Sequence, residues 1–125
     1  MALKPSQAQP GNPEECPVAA TLQVIGGKWV PLILFQLKDQ PRRFNALRRL
    51  IPGITQRMLT LQLRGLEEDG VVARKVFETV PPHVEYSLTP SGQTLAPIIE
   101  AMEVWGTERL AANHCDRESE GGAMA

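Results

Sequence analysis

Apolar residues recur at helical spacing in five stretches of the chain. In the clearest stretch, Ile51 to Asp69, three leucines follow an i, i+4, i+7 spacing and can share one buried face, namely Leu59, Leu63 and Leu66. Thr55 is a good N-cap at its start, and Gly70 ends the pattern. The pattern predicts a helix of about four turns.

Three further helices are predicted before this one. Cys16-Pro17 opens a short helix, because proline is favoured at the first helical position, and Gly26-Gly27 ends it. The stretch from Lys28 to Lys38 is apolar on most sides, which predicts a central helix. Asn45 to Leu50 forms the third, and the turn residues Pro52-Gly53 separate it from the long helix. The two therefore form a helix, a tight turn and a helix.

After Gly70 the apolar residues no longer follow helical spacing, and residues of alternating position share one side of the chain. Val72 to Glu78 and Val84 to Leu88 both alternate, and a loop from Thr79 to His83 that contains two prolines joins them. This predicts a β-hairpin with a protruding tip. Arg42 to Phe44 is long enough only for a minimal strand.

The last apolar pattern predicts a long helix from Pro90 to about Ala112, with a kink at the internal Pro97. Residues 1–15 lack a periodic apolar face and are predicted to be a flexible N-terminal arm. Residues 113–125 are polar, small and glycine-rich, and are predicted to be a disordered tail. Residues 16–112 would form one domain, since a chain of 125 residues, 42% of them apolar, can bury one core.

The order of these elements predicts a fold of the α+β class that is mainly α. A helix-turn-helix followed at once by a hairpin is a winged helix-turn-helix, here with a two-stranded β-wing and a long C-terminal dimerisation helix. In that arrangement the second helix of the pair lies in the major groove of double-stranded DNA. The helix that begins after Thr55 is therefore the predicted recognition helix.

Charge is divided unevenly along the chain. The segment from Lys38 to Lys75 contains nine of the thirteen basic residues and four acidic ones, so its net charge is +5, whereas the whole chain carries −1. In the recognition helix the acids Glu67, Glu68 and Asp69 all lie in the last turn, where the helix dipole disfavours them. A basic central segment, with acidic segments before and after it, suits the binding of a polyanion.

The candidate DNA contacts fall into three groups. Gln56 and Arg57 lie in the first turn of the recognition helix and are the candidates for base contacts, because arginine pairs naturally with guanine and glutamine with adenine. Lys75 and His83 in the hairpin are candidates for the minor groove or phosphates. Contacts to sugar or phosphate are expected from Thr60, Arg64, Arg42, Arg43 and Asn45. The alternative interpretation is an ordinary amphipathic helix with a solvated polar face.

The final helix carries more apolar surface than the last helix of so small a domain can easily bury alone. Its candidate residues for a homodimer interface are Ile98, Ile99, Met102 and Trp105. Two-fold symmetry would present two recognition helices about one DNA turn apart, or a multiple of it. The alternative is that this face packs only on its own domain.

Four segments of the chain resemble one family of regulators. They read CPVAATLQVIGGKWVPLIL from Cys16, RFNALRRLIPGITQRMLTLQLRGLEEDGVV from Arg43, VPPHVEYSLTPSG from Val80 and VWG from Val104. These segments are similar to the HxlR-type winged helix-turn-helix transcriptional regulators of bacteria, relatives of the MarR group, over about Cys16 to Leu110. The resemblance implies a cytoplasmic homodimer that binds a pseudo-palindromic operator, with the first and last helices at the dimer interface.

Cys16 has two interpretations. At a helix N-cap its sulfur would lie among unpaired backbone N–H groups, which favours the reactive thiolate. In several members of the resembling family a cysteine at this place senses oxidants or electrophiles, so the resemblance raises redox sensing here. The alternative is a small buried thiol. Cys115, in the predicted tail, is a candidate disulfide partner for Cys16 of the other subunit, because a flexible tail relaxes the geometric limits on a disulfide, or it is incidental.

Other classes of function find little support in the sequence. The cysteines and histidines are too scattered for a zinc site, and no glycine-rich phosphate loop is present, so no metal, cofactor or catalysis is expected. The absence of a bilayer-spanning run and of a signal peptide predicts a cytoplasmic protein with free thiols that does not bind membranes.

The sequence identifies no small-molecule effector. The leading rival is a winged-helix protein-interaction module without specific DNA binding, and the third interpretation is a thiol enzyme built on Cys16, which lacks a general base.

Overall fold

The computed structural model describes residues 16–124, with side chains described as far as Asn113. Six helices and three strands occupy this part of the chain. They are α1 (Pro17–Ile25), α2 (Val30–Leu37), β1 (Arg42–Arg43), α3 (Phe44–Leu50), α4 (Gln56–Glu68), β2 (Val72–Phe77), β3 (His83–Leu88), α5 (Pro90–Gln93) and α6 (Ala96–Met124). The predicted arm over residues 1–15 lies outside the described residues.

The hydrophobic core lies between α2, α3, α4 and the sheet. Burying each of its large apolar side chains stabilises the fold by about 1.5–3 kcal/mol. The prediction of a central α2 and of a leucine face on α4 is confirmed. The side chains with almost no exposed surface are Ile33, Leu34, Leu37, Leu47, Ile51, Leu59, Leu63 and Leu66.

The helix-turn-helix is formed by α3, α4 and the turn between them. Ile51 and Ile54 are buried and anchor the turn in the core. Gly53 has a φ of +86°, a left-handed conformation that glycine adopts without strain. At the start of α4 the backbone N–H of Met58 donates to Thr55 Oγ1 at 3.0 Å, which confirms Thr55 as the N-cap. The entry of α4 is therefore fixed by both packing and hydrogen bonds.

The predicted hairpin is present, but it belongs to a three-stranded antiparallel sheet of order β1-β3-β2. β2 and β3 pair from Val72↔Leu88 to Phe77↔His83. β1 pairs with the other edge of β3 through Arg42↔Tyr86 and Arg43↔Glu85. The wing is thus tied to the segment that leads into the helix-turn-helix, because β1 covers the edge of β3 that a two-stranded wing would leave open.

The predicted single C-terminal helix is wrong in two respects. It is divided into α5 and α6, and Pro97 is the second residue of α6, where a missing N–H breaks no helical hydrogen bond and causes no kink. The backbone also remains helical from Asn113 to Met124, past the predicted end at Ala112 and through most of the predicted disordered tail. No proline follows Pro97, and Arg117, Glu118 and Glu120 are good helix formers.

α1 and α2 meet at a sharp bend at Gly26-Gly27, where Gly27 has a φ of +85°. Among residues 16–124, no single helix is long and apolar enough to cross a membrane; α1 and α2 reach that length and composition only as a pair bent by 78°.

Candidate nucleic-acid interface

The solvent-facing side of α4 brings four of the predicted DNA contacts together. Gln56, Arg57 and Arg64 are exposed, and the first turn of the helix contains no acidic residue. The positive end of the helix and two donor side chains therefore meet at one surface. A shallow depression on this side is lined by Gln56, Arg57, Thr60, Leu61 and Arg64.

Thr60 is a weaker candidate for a contact with DNA than its position in the sequence indicates. Its side chain is half-buried, and its hydroxyl donates to the backbone oxygen of Gln56 at 2.8 Å. The single hydroxyl proton is therefore already in use, and donation to a phosphate would require breaking that hydrogen bond.

Leu61 is a residue on this side that the sequence analysis missed. It lies among the donor side chains and is 59% exposed, although it is a leucine. The signal that identifies it is its spacing, since it follows Arg57 by four residues and so lies on the same side of the helix.

A second cleft lies between the helix-turn-helix and the wing. It brings together three predicted contacts from separate elements, Arg43, Asn45 and His83, and adds Arg49, which the sequence analysis did not single out. Arg49 follows Asn45 by four residues in α3, and this spacing could have identified it. The prolines of the wing tip, Pro81 and Pro82, line the opposite wall of this cleft.

The side chain of His83 is held within the wing. Its Nε2 lies 3.3 Å from a carboxylate oxygen of Glu85, and its Nδ1 lies 3.3 Å from Thr79 Oγ1. Its ring stacks on the ring of Phe77, with the two ring centroids 4.7 Å apart. Lys75 lies over the same Phe77 ring, with Nζ 4.8 Å from the ring centroid. The two predicted wing contacts therefore share one aromatic support.

Arg42 is partly engaged within the fold. Its side chain is half-buried, and Nε donates to the backbone oxygen of Gln36 in α2 at 2.9 Å. This hydrogen bond ties β1 to the end of α2. Arg42 therefore has a structural role through Nε, while its terminal nitrogens keep their donors, and Arg43 is the more exposed member of the pair.

The acidic end of α4 has a partner on the wing. A carboxylate oxygen of Glu67 lies 3.6 Å from Nε of Arg74 in β2, and Tyr86 lies in the same cleft. Burial raises the pKa of the Tyr86 hydroxyl, and the nearby Glu67 carboxylate raises it further. The unfavourable position of Glu67 in the helix dipole is thus offset by an ion pair that joins α4 to the wing.

The candidate dimer residues divide between the surface and the core. Ile98, Met102 and Trp105 are 38%, 46% and 66% exposed, whereas Ile99 is 3% exposed and packs in the core of its own domain. Ile99 is therefore removed from the candidate dimer surface. Further large apolar side chains are exposed on α1 and α6, and the sequence analysis did not select them: Val18, Leu22, Val104 and Leu110.

Cys16 is the N-cap residue of α1, as predicted, and its backbone oxygen accepts from Ala20 N at 2.9 Å. Its side chain is half-buried, is not in a disulfide and makes no capping hydrogen bond. The side chains of His114 and Cys115 lie outside the described residues. Among the side chains from Cys16 to Asn113, no group of three or more His, Cys, Asp or Glu residues is arranged to hold a metal ion.

Comparisons with known proteins agree with the fold. A model of the HxlR-like helix-turn-helix family matches residues 24–114. The uncharacterized HTH-type transcriptional regulators YybR and YdeP of Bacillus subtilis (strain 168) are 58% identical over 95 residues and 59% identical over 93 residues. These alignments cover 76% of this chain and 76% of YybR, and 74% of this chain and 73% of YdeP.

Solved structures of the redox regulator HypR are similar as well. The oxidized form is 57% identical, with a TM-score of 0.72 over 74% of this chain and 96% of HypR. The reduced form is 52% identical, with a TM-score of 0.74 over 80% of this chain and 99% of that one. The matches in sequence and in structure, together with the helix-turn-helix and wing described above, show that this chain belongs to the HxlR-like helix-turn-helix family of transcriptional regulators.

Proposed function

We propose that this regulator binds a specific double-stranded DNA operator as a homodimer. The observation that carries the proposal is the exposed first turn of α4, where Gln56 and Arg57 extend from a helix whose entry is fixed by Thr55 and by the turn at Gly53. Because the helix is already formed, its backbone loses little conformational entropy on binding, and only the side chains must be ordered. Such a turn can enter a major groove and form bidentate contacts with base edges.

The other polar and basic side chains around this turn would contact the DNA backbone and not the bases. Arg64 on α4 and the cleft residues Arg43, Asn45 and Arg49 are exposed and suit contacts with phosphate oxygens. Lys75 on the wing suits the adjacent minor groove or its phosphates, and His83 would join it by exchanging its contact with Glu85 or Thr79. Phosphate contacts would supply most of the affinity and make it depend steeply on salt, whereas Gln56 and Arg57 would supply sequence preference.

The proposal is tested by comparing Arg57→Ala with Arg64→Ala on two duplexes. The first duplex is obtained by selecting binding sites from random DNA, and the second is its scrambled sequence. Arg57→Ala should weaken binding to the selected duplex by about 5- to 150-fold and change binding to the scrambled duplex little. Arg64→Ala should weaken both equally and lower the slope of log affinity against log salt by about one. Equal effects of both variants on both duplexes would contradict the assignment of Arg57 to base reading.

A winged helix that binds only proteins makes a different prediction. Reversing both charges in the variant Arg57→Glu/Arg64→Glu would leave such a module functional. For a DNA-binding regulator the same variant should abolish complex formation in a gel shift and abolish regulation of a reporter, with an unchanged circular dichroism spectrum. A functional double variant would favour the protein-interaction module.

The homodimer is supported by two apolar surfaces. One consists of the exposed side chains of α1 and α6 outside the groove between α2 and α6, among them Leu22 and Trp105. The other is a groove between α2 and α6 that is lined largely by apolar residues, including Leu32, Phe35 and Leu110. Several large apolar side chains exposed on α1, α2 and α6 are typical of a protein interface. A monomeric mass in sedimentation at micromolar concentration would contradict the dimer.

A response to oxidants or electrophiles through Cys16 is the second proposal. It is supported by the position of Cys16 at the positive end of α1, the helix that also carries the exposed Val18 and Leu22, and by the likeness to HypR, which is described as a redox regulator. Modification of the thiol would alter α1 and thereby the spacing of the two recognition helices. Diamide is reduced while two thiols join as a disulfide, so it would link Cys16 to a second thiol, that of Cys115 in another copy of the chain. It should reduce binding of the selected duplex by the native protein and leave Cys16→Ser unchanged. Unchanged binding by both proteins would remove this proposal.

A further inference from the structure

We propose that Leu61 recognises a thymine of the operator through apolar contact with the C5-methyl group in the major groove. The inference rests on the proposed DNA-binding function. It adds an apolar specificity-determining residue to the polar pair Gln56 and Arg57.

Leu61 lies on the side of α4 that faces away from the core. Leu59 and Leu63 are fully buried, and Leu61 lies between them, two residues or about 200° around the helix from each. Its side chain is 59% exposed and contributes little to core packing. The fold therefore does not require a leucine at this position.

The neighbours of Leu61 indicate what kind of surface it would meet. Arg57 is four residues before it and Arg64 three residues after it, so both guanidinium groups flank it along the helix. An isolated exposed leucine is common on protein surfaces. A leucine between two arginines is poorly suited to an apolar segment of another protein, because that partner would have to bury two unpaired charges.

DNA offers groups that complement both the two arginines and the leucine of this surface. Phosphates and base edges accept hydrogen bonds from the arginines, and the thymine methyl is the apolar group that a base pair presents in the major groove. Leu61 is one turn further along α4 than Arg57, so the thymine would lie within a few base pairs of the base that Arg57 contacts. The hydroxyl of Thr60 is bonded to the backbone of Gln56, so it does not compete as a polar donor at this position.

The test removes the methyl group from the DNA instead of changing the base pair. Each thymine of the selected duplex is replaced, one at a time, by deoxyuridine, which pairs identically but lacks the C5-methyl group. At one position in each half-site the replacement should weaken binding of the native protein by about fourfold, the effect of losing one buried methyl-sized group. The same replacement should leave the affinity of Leu61→Ala unchanged, because the contact is already absent.

Leu50→Ala is the matched control, since Leu50 is also an exposed leucine and lies on the neighbouring α3. It should retain the full deoxyuridine effect, and all three proteins should be fully folded at the temperature of the binding assay. If deoxyuridine has no effect at any position, or weakens Leu61→Ala as much as the native protein, Leu61 does not read thymine while DNA binding stands. If the native protein selects no duplex at all, the proposed function fails together with this inference.

Discussion

Thr55 determines how α4 begins, because its side chain accepts a hydrogen bond from the backbone N–H of Met58. Thr55→Ala should lower the free energy of unfolding by about 1 kcal/mol. Thr107→Ala is a matched control, since Thr107 is an exposed threonine inside α6 whose hydroxyl bonds to the backbone oxygen of Glu103. That change should be neutral or slightly stabilising, because alanine is the better helix former. Urea denaturation of both variants measures the difference, and equal losses would show that Thr55 does not act as a cap.

Tyr86 makes the stability of the fold sensitive to alkaline pH. Burial and Glu67 raise its pKa above the ordinary value of 10.0, so the folded state retains the proton longer than the unfolded chain. The contribution to stability is fully present below pH 10 and is lost as the pH rises through the folded-state pKa. Lys38, whose pKa is raised chiefly by its hydrogen bond to Asp39, changes stability in the same direction.

Tyr86→Phe isolates the tyrosine, because the variant keeps Lys38 and loses the phenol. Urea denaturation of the two proteins at a series of pH values should show a shallower fall in stability above pH 10 for the variant than for the native protein. Identical alkaline profiles would mean that the hydroxyl of Tyr86 ionises as easily in the folded state as in the unfolded chain.

Single residues also show the limit of predicting a site from sequence. Ile98 and Ile99 are adjacent and equally apolar, but about 100° of helix rotation sends one to the surface and the other into the core. Arg42 and Thr60 match the pattern of DNA contacts, but each donates to a backbone oxygen. Spacing identifies the side of an element that carries a site, whereas local hydrogen bonds decide which side chains are available.

At the scale of elements, two glycines provide opposite tests of packing. Gly92 of α5 lies directly against the backbone oxygen of Val71, so an added Cβ would collide with it, whereas Gly65 inside α4 has open space around it. Gly92→Ala should destabilise the fold by about 1–3 kcal/mol through overpacking. Gly65→Ala should stabilise it by about 0.5–1 kcal/mol, because alanine restricts the unfolded chain and favours helix. If the melting temperatures of both variants change in the same direction, the close packing of α5 against Val71, the residue before β2, would be contradicted.

Elements defined by local signals were predictable from the sequence. The turn at Pro52-Gly53, the cap at Thr55 and the alternation after Gly70 are all read from neighbouring residues, and the helix-turn-helix and hairpin follow from them. The minimal strand predicted over Arg42 to Phe44 is present as β1, but its pairing with β3 could not be predicted, because Arg42 and Arg43 pair with residues more than forty positions away. The end of α6 was missed because a polar, glycine-containing composition suggested a tail, although nothing after Pro97 forbids a helix.

At the scale of the whole molecule, the apolar surface of α6 and α1 should join two copies of the chain. Met102→Glu introduces a charge into this surface and should shift the protein from dimer to monomer in sedimentation at micromolar concentration. Leu50→Glu is the control, because Leu50 is exposed to a similar extent, 41% against 46%, but lies on α3. A Met102→Glu protein that sediments as the native protein does would show that α6 does not form the interface.

The central claim is that two copies of α4, held by a two-fold axis, read one DNA site. Selection of bound sequences from random DNA tests it most directly. The native protein should enrich a two-fold symmetric sequence whose half-sites are about 10 base pairs apart, or a multiple of that spacing. Arg57→Ala should lose the preference at one position of each half-site. Enrichment of an asymmetric site, or no enrichment at all, would contradict the account.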